Sequence, residues 1–325
     1  MPTNGRTQIT PENTEFYDKN LLDRAVPNLV HTRWAQYRDI PRNAGTKQIK
    51  FRRYTNLTAA TTPLTAGITP VGSSLAITDV LATVAQYGDF VTIDDVLDFE
   101  SKDPVLIEIG ELQGDQTGDT LDQLTRDILH GGTSVTLGGS NNTVRGDIAA
   151  GDVLTDAMVQ AGVLVLKLNN CKKITRMSAA SDGVGTQPIE ACYIGIVHPS
   201  ISAAFTNTTN FPDWVPAHKY ANQGIVMPGE IGKMREVRFI ETTNAKIFAG
   251  EGTSLVDVYS TIIFGANAYG ITRISGEAIK NIIKPLGSAG SADPLDQRQT
   301  SGWKATFVAK ILNNAFIHRF ETTKS

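Results

Sequence analysis

The chain has 325 residues, with 30 basic and 33 acidic side chains and a formal net charge of −3. That length predicts about two domains of ordinary size. The charge balance excludes a strongly basic protein that binds nucleic acid through one face, and the longest basic runs are Arg52-Arg53 and Lys172-Lys173. Charged residues make up 19 % of the chain, below the usual ~25 %. This composition suits a protein that covers its surface with partners, although it also fits a threonine-rich monomer.

Cysteine usage and the absence of long apolar runs indicate a cytosolic product. The two cysteines, Cys171 and Cys192, form neither a metal-binding set nor a disulfide framework, so we expect both to be buried small hydrophobes. The first residues, MPTNGRTQITPEN, lack the apolar core of a signal peptide. No apolar run approaches the ~18 residues of a membrane span.

The segment 14–37 has the apolar spacing of an amphipathic helix. Pro27 is expected to kink or split this helix. Because the segment precedes the first predicted strand, it is interpreted as an N-terminal arm that docks on its own chain or on a neighbour. Its apolar positions are Phe16, Leu21, Leu22, Ala25, Leu29, Val30 and Trp34.

Two predicted strands, over 46–57 and 75–97, flank a stretch rich in turn-forming residues at 58–74. The second may be one strand or two, with a break at Gly88. No charged residue occurs between Tyr54 and Thr78. Solvated loops usually carry charge, so we infer a long hairpin whose tip lies on another chain. The alternative is a flexible Thr/Ala/Gly/Pro linker.

The strongest helix prediction covers 103–131, with Asp103 as N-cap and Pro104 at the first helical position. Gly131 and Gly132 are expected to end it. At ~1.5 Å per residue such a helix is about 43 Å long, which is more than a small domain needs. The predicted apolar stripe consists of Val105, Ile109, Leu112, Leu121, Leu124 and Ile128.

Within this helix Gly110, Gly114 and Gly118 recur every four residues. Each glycine costs roughly 0.5–1 kcal/mol relative to alanine, and the repeat allows another backbone to approach closely. Interleaved acidic residues argue against a membrane motif. The stripe could pack against the chain's own strands or against a neighbouring subunit, and the sequence leaves both open.

The remaining elements mix helices and strands without the regular alternation of a doubly wound sheet, so the predicted fold class is α+β. They are a loop at 138–152, a helix at 155–168, strands at 189–197 and 256–264, a short helix from Pro199, two short strands within 235–248, a loop or short helix at 265–274, and a final strand after the polar stretch 293–300. Met158, Ala161, Val165 and Leu168 are expected on one face of the helix at 155–168.

No motif with a catalytic or ligand-binding mechanism occurs in the sequence. The stretches GEIGKM at 229–234 and GEGTSL at 250–255 lack the residues of phosphate- or dinucleotide-binding loops. The acidic pairs Asp94-Asp95 and Asp293/Asp296 lack the ligand run of a calcium loop. The histidines His31, His130, His198, His218 and His318 occur singly. We therefore predict no catalytic residues, no cofactor and no metal.

The order of helical arm, uncharged hairpin, long helix, mixed central region and terminal strand resembles the major capsid proteins of tailed bacteriophages, which have the Hong Kong 97-type fold. Further stretches resemble the podophage N4-type major capsid protein family. They are LTAGITPVGSSLAITDVLATVAQYGDFVTIDD at 64–95, LDQLTRDIL at 121–129, WVPAHKYANQGIVMPGEIGKMREVRFIETTNAKIF at 214–248, DPLDQRQTSGWK at 293–304 and ILNNAFIHRFE at 311–321. The resemblance spans about 14–321.

The resemblance implies a particular division of the chain. It places an N-terminal arm at 1–45, an extended hairpin loop at 46–97, a peripheral domain with a spine helix at 98–150 and 290–325, and an axial domain at 151–289. The last strands would complete the peripheral sheet, and 293–300 would cross back from the axial domain. Trp303, Ala305, Phe307, Ala309 and Ile311 would then face one side, and Lys304, Thr306, Val308 and Lys310 the other.

The resemblance also implies a function as a self-assembling structural protein, not an enzyme. Hexamers and pentamers would form an icosahedral phage head around double-stranded DNA, with portal, scaffold and cement proteins as further partners and no membrane. The expected inter-subunit contacts are Thr62, Pro63, Leu64, Gly67, Ile68, Pro70 and Val71 in the hairpin, and Phe16, Leu22 and Trp34 in the arm. The alternatives are an encapsulin-like nanocompartment shell and an enzyme with an unrecognised site.

Overall fold

The computed structural model describes residues 29–55, 57–95, 105–178, 186–207, 210–220, 226–277, 279–288 and 293–324. Four strands come first: β1 (Gln36–Ile40), β2 (Gln48–Tyr54), β3 (Ile77–Thr83) and β4 (Ala85–Asp94). They are followed by helix α1 (Val105–Leu129), β5 (Val135–Leu137), helix α2 (Asp156–Leu168), β6 (Ile174–Ser178), β7 (Thr186–Val197) and the short helix α3 (Pro199–Ser202). Nine more strands complete the described elements: β8 (Val215–Pro216), β9 (Glu230–Met234), β10 (Val237–Glu241), β11 (Ile247–Phe248), β12 (Val258–Phe264), β13 (Tyr269–Ile274), β14 (Ile279–Lys284), β15 (Arg298–Ile311) and β16 (Ile317–Thr322).

The strands in the described ranges form three sheets, which confirms the α+β class. A five-stranded sheet has the order β1-β13-β15-β14, with β4 also paired to β15. A nine-stranded sheet has the order β5-β16-β12-β7-β10-β9-β8, with β11 on β12 and β6 on β7. β2 and β3 form a separate antiparallel hairpin. One apolar cluster contains residues of both larger sheets, including Ile262 of β12 and Trp303 of β15.

The long strand β15 organises the five-stranded sheet. Its first part pairs with β4 from Arg298↔Asp94 to Phe307↔Ala85, and its end pairs with β13. The predicted alternation holds at its centre, where Trp303, Ala305, Phe307 and Ala309 are buried. Gly88 lies inside β4, and a Cβ atom there would stand 2.5 Å from the Trp303 carbonyl oxygen. The break in the 75–97 segment is therefore at Val84, between β3 and β4, and not at Gly88.

Helix α1 packs on β15 through polar side chains, so the predicted apolar stripe is wrong for part of its length. Leu121 is buried, but Leu112 and Ile128 are exposed. The Gln113 amide donates to the Ser301 carbonyl at 2.8 Å, and the Ser301 hydroxyl donates back to Gln113 at 2.9 Å. Because these polar groups satisfy one another, the helix can bury them at little cost.

The nine-stranded sheet packs its own core against helix α2. The helix predicted at 155–168 is present, but its buried face carries Val159, Val163 and Leu166, while Leu168 on the predicted apolar face is exposed. Gly162 also lies on the buried face and faces β16: a Cβ atom there would collide with the Phe320 ring and lie 3.0 Å from Cδ2 of His318.

Gly162→Ala tests this close approach. Overpacking a well-filled core costs about 1–3 kcal/mol, whereas alanine regains up to about 1 kcal/mol of helix propensity. We expect a net loss of about 1–2 kcal/mol in the free energy of unfolding, measured by denaturant titration. Gly72→Ala, in open space on the hairpin, is the matched control. An unchanged midpoint for the Gly162 variant would contradict this packing.

The loop predicted at 138–152 is tied to the final strand by an ion-pair network. The Arg145 guanidinium donates two hydrogen bonds of 2.8 Å to the buried carboxylate of Glu321 and one of 2.5 Å to Glu251. It also stacks over the Phe248 ring. Strand β16 is thereby joined to the nine-stranded sheet by its ladder and by this loop.

The N-terminal part of the described chain differs from the predicted helix. Residues 31–34 form a turn and β1 follows, paired in parallel with β13 from Gln36↔Gly270. The prediction of a helix is therefore wrong where 14–37 overlaps the described chain, and the part over 14–28 lies outside it. The prediction of a loop or short helix at 265–274 is also wrong, because β13 is a buried strand between β1 and β15.

Candidate assembly surfaces

The most exposed part of the described chain is the hairpin tip, defined as residues 57–76. Every residue of this tip is exposed. Its apolar side chains are nearly free of contact, with Leu64 at 79 %, Ile68 at 67 % and Val71 at 98 % exposure. Thr62, Pro63, Gly67 and Pro70 are exposed with them. These exposed apolar side chains on one segment make the tip a candidate interaction site.

The tip stands on an ordered stem. Strands β2 and β3 pair over seven positions, from Gln48↔Thr83 to Tyr54↔Ile77. Arg52 donates to the cross-strand Asp79 at 2.9 Å, and the Lys50 ammonium lies 3.4 Å from the same carboxylate. The hydrogen bond from Arg52 lowers the pKa of Asp79. These exposed ion pairs contribute little stability, but they favour one register of the hairpin.

The base of the stem is held by the body of the chain. Ala82 and Val84 are buried, and the Phe51 ring reaches the backbone of Gly270 in β13. Since β3 runs into β4, which pairs with β15 over its whole length, the stem continues a strand of the five-stranded sheet. The tip is therefore carried by paired strands that are anchored in the five-stranded sheet.

The carboxylate of Asp122 in helix α1 holds the first described residues of the chain in place. Its carboxylate accepts the backbone N–H groups of Val30 and His31 at 2.8 and 2.7 Å. The His31 ring nitrogen Nδ1 lies 2.7 Å from the second carboxylate oxygen. The Tyr269 hydroxyl donates to the His31 carbonyl. His31 and Asp122 are fully buried, so this joint anchors the first described residues of the chain to helix α1.

The remaining predicted contact residues occupy different surroundings. Trp34 is 6 % exposed and packs beside Phe264 in the chain's own core, so we do not retain it as a contact residue. Phe16 and Leu22 lie outside the described residues. Gly110, Gly114 and Gly118 are already buried within the single chain, on the helix that packs against β15.

The contacts of the buried histidines with neighbouring protein groups indicate a structural role. Among the described residues, no group of three or more His, Cys, Asp and Glu side chains is placed to hold a metal ion. His318 lies 2.8 Å from the Ser134 hydroxyl and 2.9 Å from that of Thr136, one at each ring nitrogen. Neither His318 nor Ser134 lines the two cavities of about 820 and 780 Å³.

Burial of His318 gives the fold a dependence on pH. Desolvation, with a smaller effect from Arg319, lowers the pKa of His318 from 6.5 to about 4, so the ring is neutral in the folded chain and charges more readily in the unfolded one. Stability should therefore fall as pH drops from about 6.5 to about 4, by roughly 3 kcal/mol in total. His130 acts in the same direction, because burial lowers its pKa to about 3.

We expect His318→Gln to flatten this acid limb, measured as unfolding free energy at several values between pH 4 and 7. The exposed His218 supplies the matched control, His218→Gln. A slope that is the same in wild type and in the His318 variant would rule out a role for His318.

The cysteines are buried and unpaired, as the sequence predicts. Burial raises the pKa of the Cys171 and Cys192 thiols to about 11, so both are protonated and unreactive at neutral pH. None of the helices in the described ranges combines the length and apolar character needed to cross a membrane.

Solved structures with a similar arrangement include phage capsids and an encapsulin complex. The capsid of Ralstonia phage GP4 superposes with a TM-score of 0.70 at 13 % identity, covering 90 % of this chain and 87 % of that one. The mature capsid of bacteriophage PhiM1 gives 0.58 at 15 %, covering 91 % and 87 %. The holo-SrpI encapsulin complex of Synechococcus elongatus gives 0.54 at 8 %, covering 89 % and 85 %.

The chain therefore has the Hong Kong 97-type fold of phage capsid proteins, and the resemblance seen in the sequence is confirmed at the level of the fold. No protein-family model and no curated protein matches the sequence. The relationship is carried by the arrangement of the strands and helices and not by overall identity.

Sequence reasoning missed the joint at Asp122 and the polar contact between α1 and β15. The pattern around Asp122 predicts a helix, and an aspartate in a helix normally faces solvent, so its burial was not expected. One signal was available, because the exposed side of a helix rarely carries as many threonines and glutamines as 113–125 does.

Proposed function

We propose that this chain is the major structural subunit of a phage head. Copies would associate into hexamers and pentamers that close an icosahedral shell around double-stranded DNA. The observation that carries the proposal is the exposed, uncharged hairpin tip on a fold shared with phage capsid proteins. The described part of a single chain leaves this tip exposed, whereas a neighbouring copy would supply a surface that covers it.

Closure of a shell would make modest contacts sufficient. Each copy would use its tip on one neighbour and receive the tip of another, so the same patch pair repeats around a ring. Removing one subunit then requires several contacts to break together, which raises the effective strength of each.

The proposed domains follow the two large sheets more closely than contiguous ranges. The five-stranded sheet with α1 is the peripheral domain, and the nine-stranded sheet with α2 is the axial domain. β13 and β14 lie within 151–289 but join the five-stranded sheet, while β5 and β16 lie within 98–150 and 290–325 but join the nine-stranded one. Within the proposed arm at 1–45 and the proposed hairpin segment at 46–97, β1 and β4 likewise join the five-stranded sheet.

The proposed setting is the virion, assembled in the host cytoplasm. Portal, scaffold and cement proteins are the proposed further partners, and packaged DNA would be touched by weak non-specific contacts. No enzymatic activity is proposed for this structural subunit.

An encapsulin-like compartment shell is the second candidate, favoured by the similarity to the SrpI encapsulin complex. The fold and the hairpin would serve both assemblies. The contents differ: a phage head encloses DNA, whereas the compartment encloses a protein cargo.

Expression in a bacterial host, alone and with genes that neighbour this one, tests the proposal. We expect rings or closed shells by negative-stain electron microscopy and nuclease-protected double-stranded DNA in particles made with packaging genes. Closed shells that hold a defined protein and no DNA would establish the second candidate instead. A strictly monomeric product at high concentration, with and without a scaffold, would count against both.

A further inference from the structure

A concave surface of about 780 Å³ lies between the hairpin stem and the body of the chain. We call it the basic groove. The groove is lined by β1, by the stem, by the turn after α2, by residues just before β13 and by residues just after β15. The lining residues used below are Arg38, Lys50, Phe51, Arg52, Arg53, Lys172, Leu312 and Phe316.

The fold concentrates positive charge in this groove. Both basic pairs of the sequence contribute, through Arg52 and Arg53 of the stem and through Lys172 after α2. No carboxylate belongs to the lining formed by the described residues. Asp79 pairs with Arg52 and Lys50, whereas Arg38, Arg53 and Lys172 have no carboxylate partner within the described part of the chain.

The groove also offers apolar contact. Phe51, Leu312 and Phe316 are partly buried beside the exposed cations, and Phe51 and Leu312 both approach the backbone of Gly270. The groove therefore suits a segment that carries several negative charges together with apolar or aromatic side chains.

The arm contains one such segment. Residues 12–18, ENTEFYD, hold three carboxylates, Phe16 and Tyr17, and no basic residue occurs between Arg6 and Lys19. We propose that segment 12–18 of a neighbouring copy occupies the basic groove, with its carboxylates on Arg38, Arg53 and Lys172. This inference rests on the proposed function, because it requires copies that associate.

Reach and continuity support a neighbouring copy. Asp18 lies eleven residues before Leu29, so the intervening chain spans up to ~36–40 Å when extended, enough to leave its own body. One wall of the groove is the stem that carries the hairpin tip. The proposed contact is thus continuous with the surface on which we propose that neighbours meet.

Charge reversal tests the pairing. We expect Arg53→Glu with Lys172→Glu, and separately Glu15→Lys with Asp18→Lys, each to raise the concentration at which assembly begins by about tenfold or more. Combining all four changes in one chain should restore it to within about threefold of wild type. The exposed Lys47, outside the lining, supplies the control Lys47→Glu. Absence of rescue in the combined variant would overturn the proposal.

A cysteine pair identifies the source of the segment. With Glu15→Cys and Arg53→Cys, mild oxidation should give a ladder of chains joined between copies on non-reducing gels. The native thiols are buried and should stay unreacted. A bond formed only within one chain would show that the arm folds onto its own body and would overturn docking from a neighbour.

Three further outcomes are distinct. If wild type binds a short DNA duplex, if the groove variants lose this binding and if the arm variants keep it, the groove serves nucleic acid and the proposal fails. A wild type that assembles while rescue and cross-linking fail refutes this inference alone. A wild type that never assembles refutes the proposed function as well.

Discussion

The double variant Ile68→Asp with Val71→Asp is expected to stay folded and to stop assembling. Both side chains are largely exposed in the single chain, so charge there costs the monomer almost nothing. On a neighbouring copy the same carboxylates would enter an apolar contact without partners, at a cost of several kcal/mol per copy. Because the contact repeats in every subunit, the losses act together. Size-exclusion chromatography with light scattering measures the outcome.

The control for this variant places a charge on an exposed aliphatic side chain elsewhere in the chain. Leu168→Asp, at the end of α2, alters a side chain that is 73 % exposed and lies outside the hairpin. We expect it to assemble like wild type. Shells formed by the hairpin variant at wild-type concentrations would show that the tip does not make the decisive contact.

The second large effect is expected at Asp122. Asp122→Ala removes the acceptor of two backbone N–H groups and the partner of the His31 ring, all in a buried site. Leaving such donors without an acceptor costs about 3–5 kcal/mol, which corresponds to a fall in Tm of about 10 °C for a chain of this size. Calorimetry or thermal circular dichroism measures it.

Asp127→Ala is the matched control on the same helix. That carboxylate is half exposed and pairs with Arg126 and Lys246, so the loss should stay below about 1 kcal/mol. If Asp122→Ala does not fold, Asp122→Asn still provides a test, because the amide keeps one acceptor oxygen and should fall between wild type and alanine. Equal stability of the Asp122 and Asp127 variants would refute the joint.

The sequence allowed those elements to be predicted whose signals are local. Helix α1 ends within two residues of its predicted limit, and α2 begins after Thr155, whose side chain caps it. The alternation from Trp303 to Ala309 indicated a strand with one apolar face; Trp303, Ala305, Phe307 and Ala309 are buried, and Thr306 on the other face is buried as well. The charge-free hairpin was visible because an absence of charge over more than twenty residues is itself a local property.

Features set by partner elements could not be predicted. The buried face of α2 depends on Gly162, which admits β16, and that of α1 depends on pairs such as Gln113–Ser301, whose members are 188 residues apart. β13 is a strand because β1 and β15 flank it, not because of its own pattern. The basic groove arises only when folding brings together two basic pairs that are more than a hundred residues apart.

A cryo-electron microscopy reconstruction of the purified, assembled protein is the most direct test of the central claim. We predict a closed shell in which residues 57–76 of every copy are covered by the surface of a neighbouring copy. Shells in which this hairpin stays bare on all sides, or folds back onto its own chain, would contradict it.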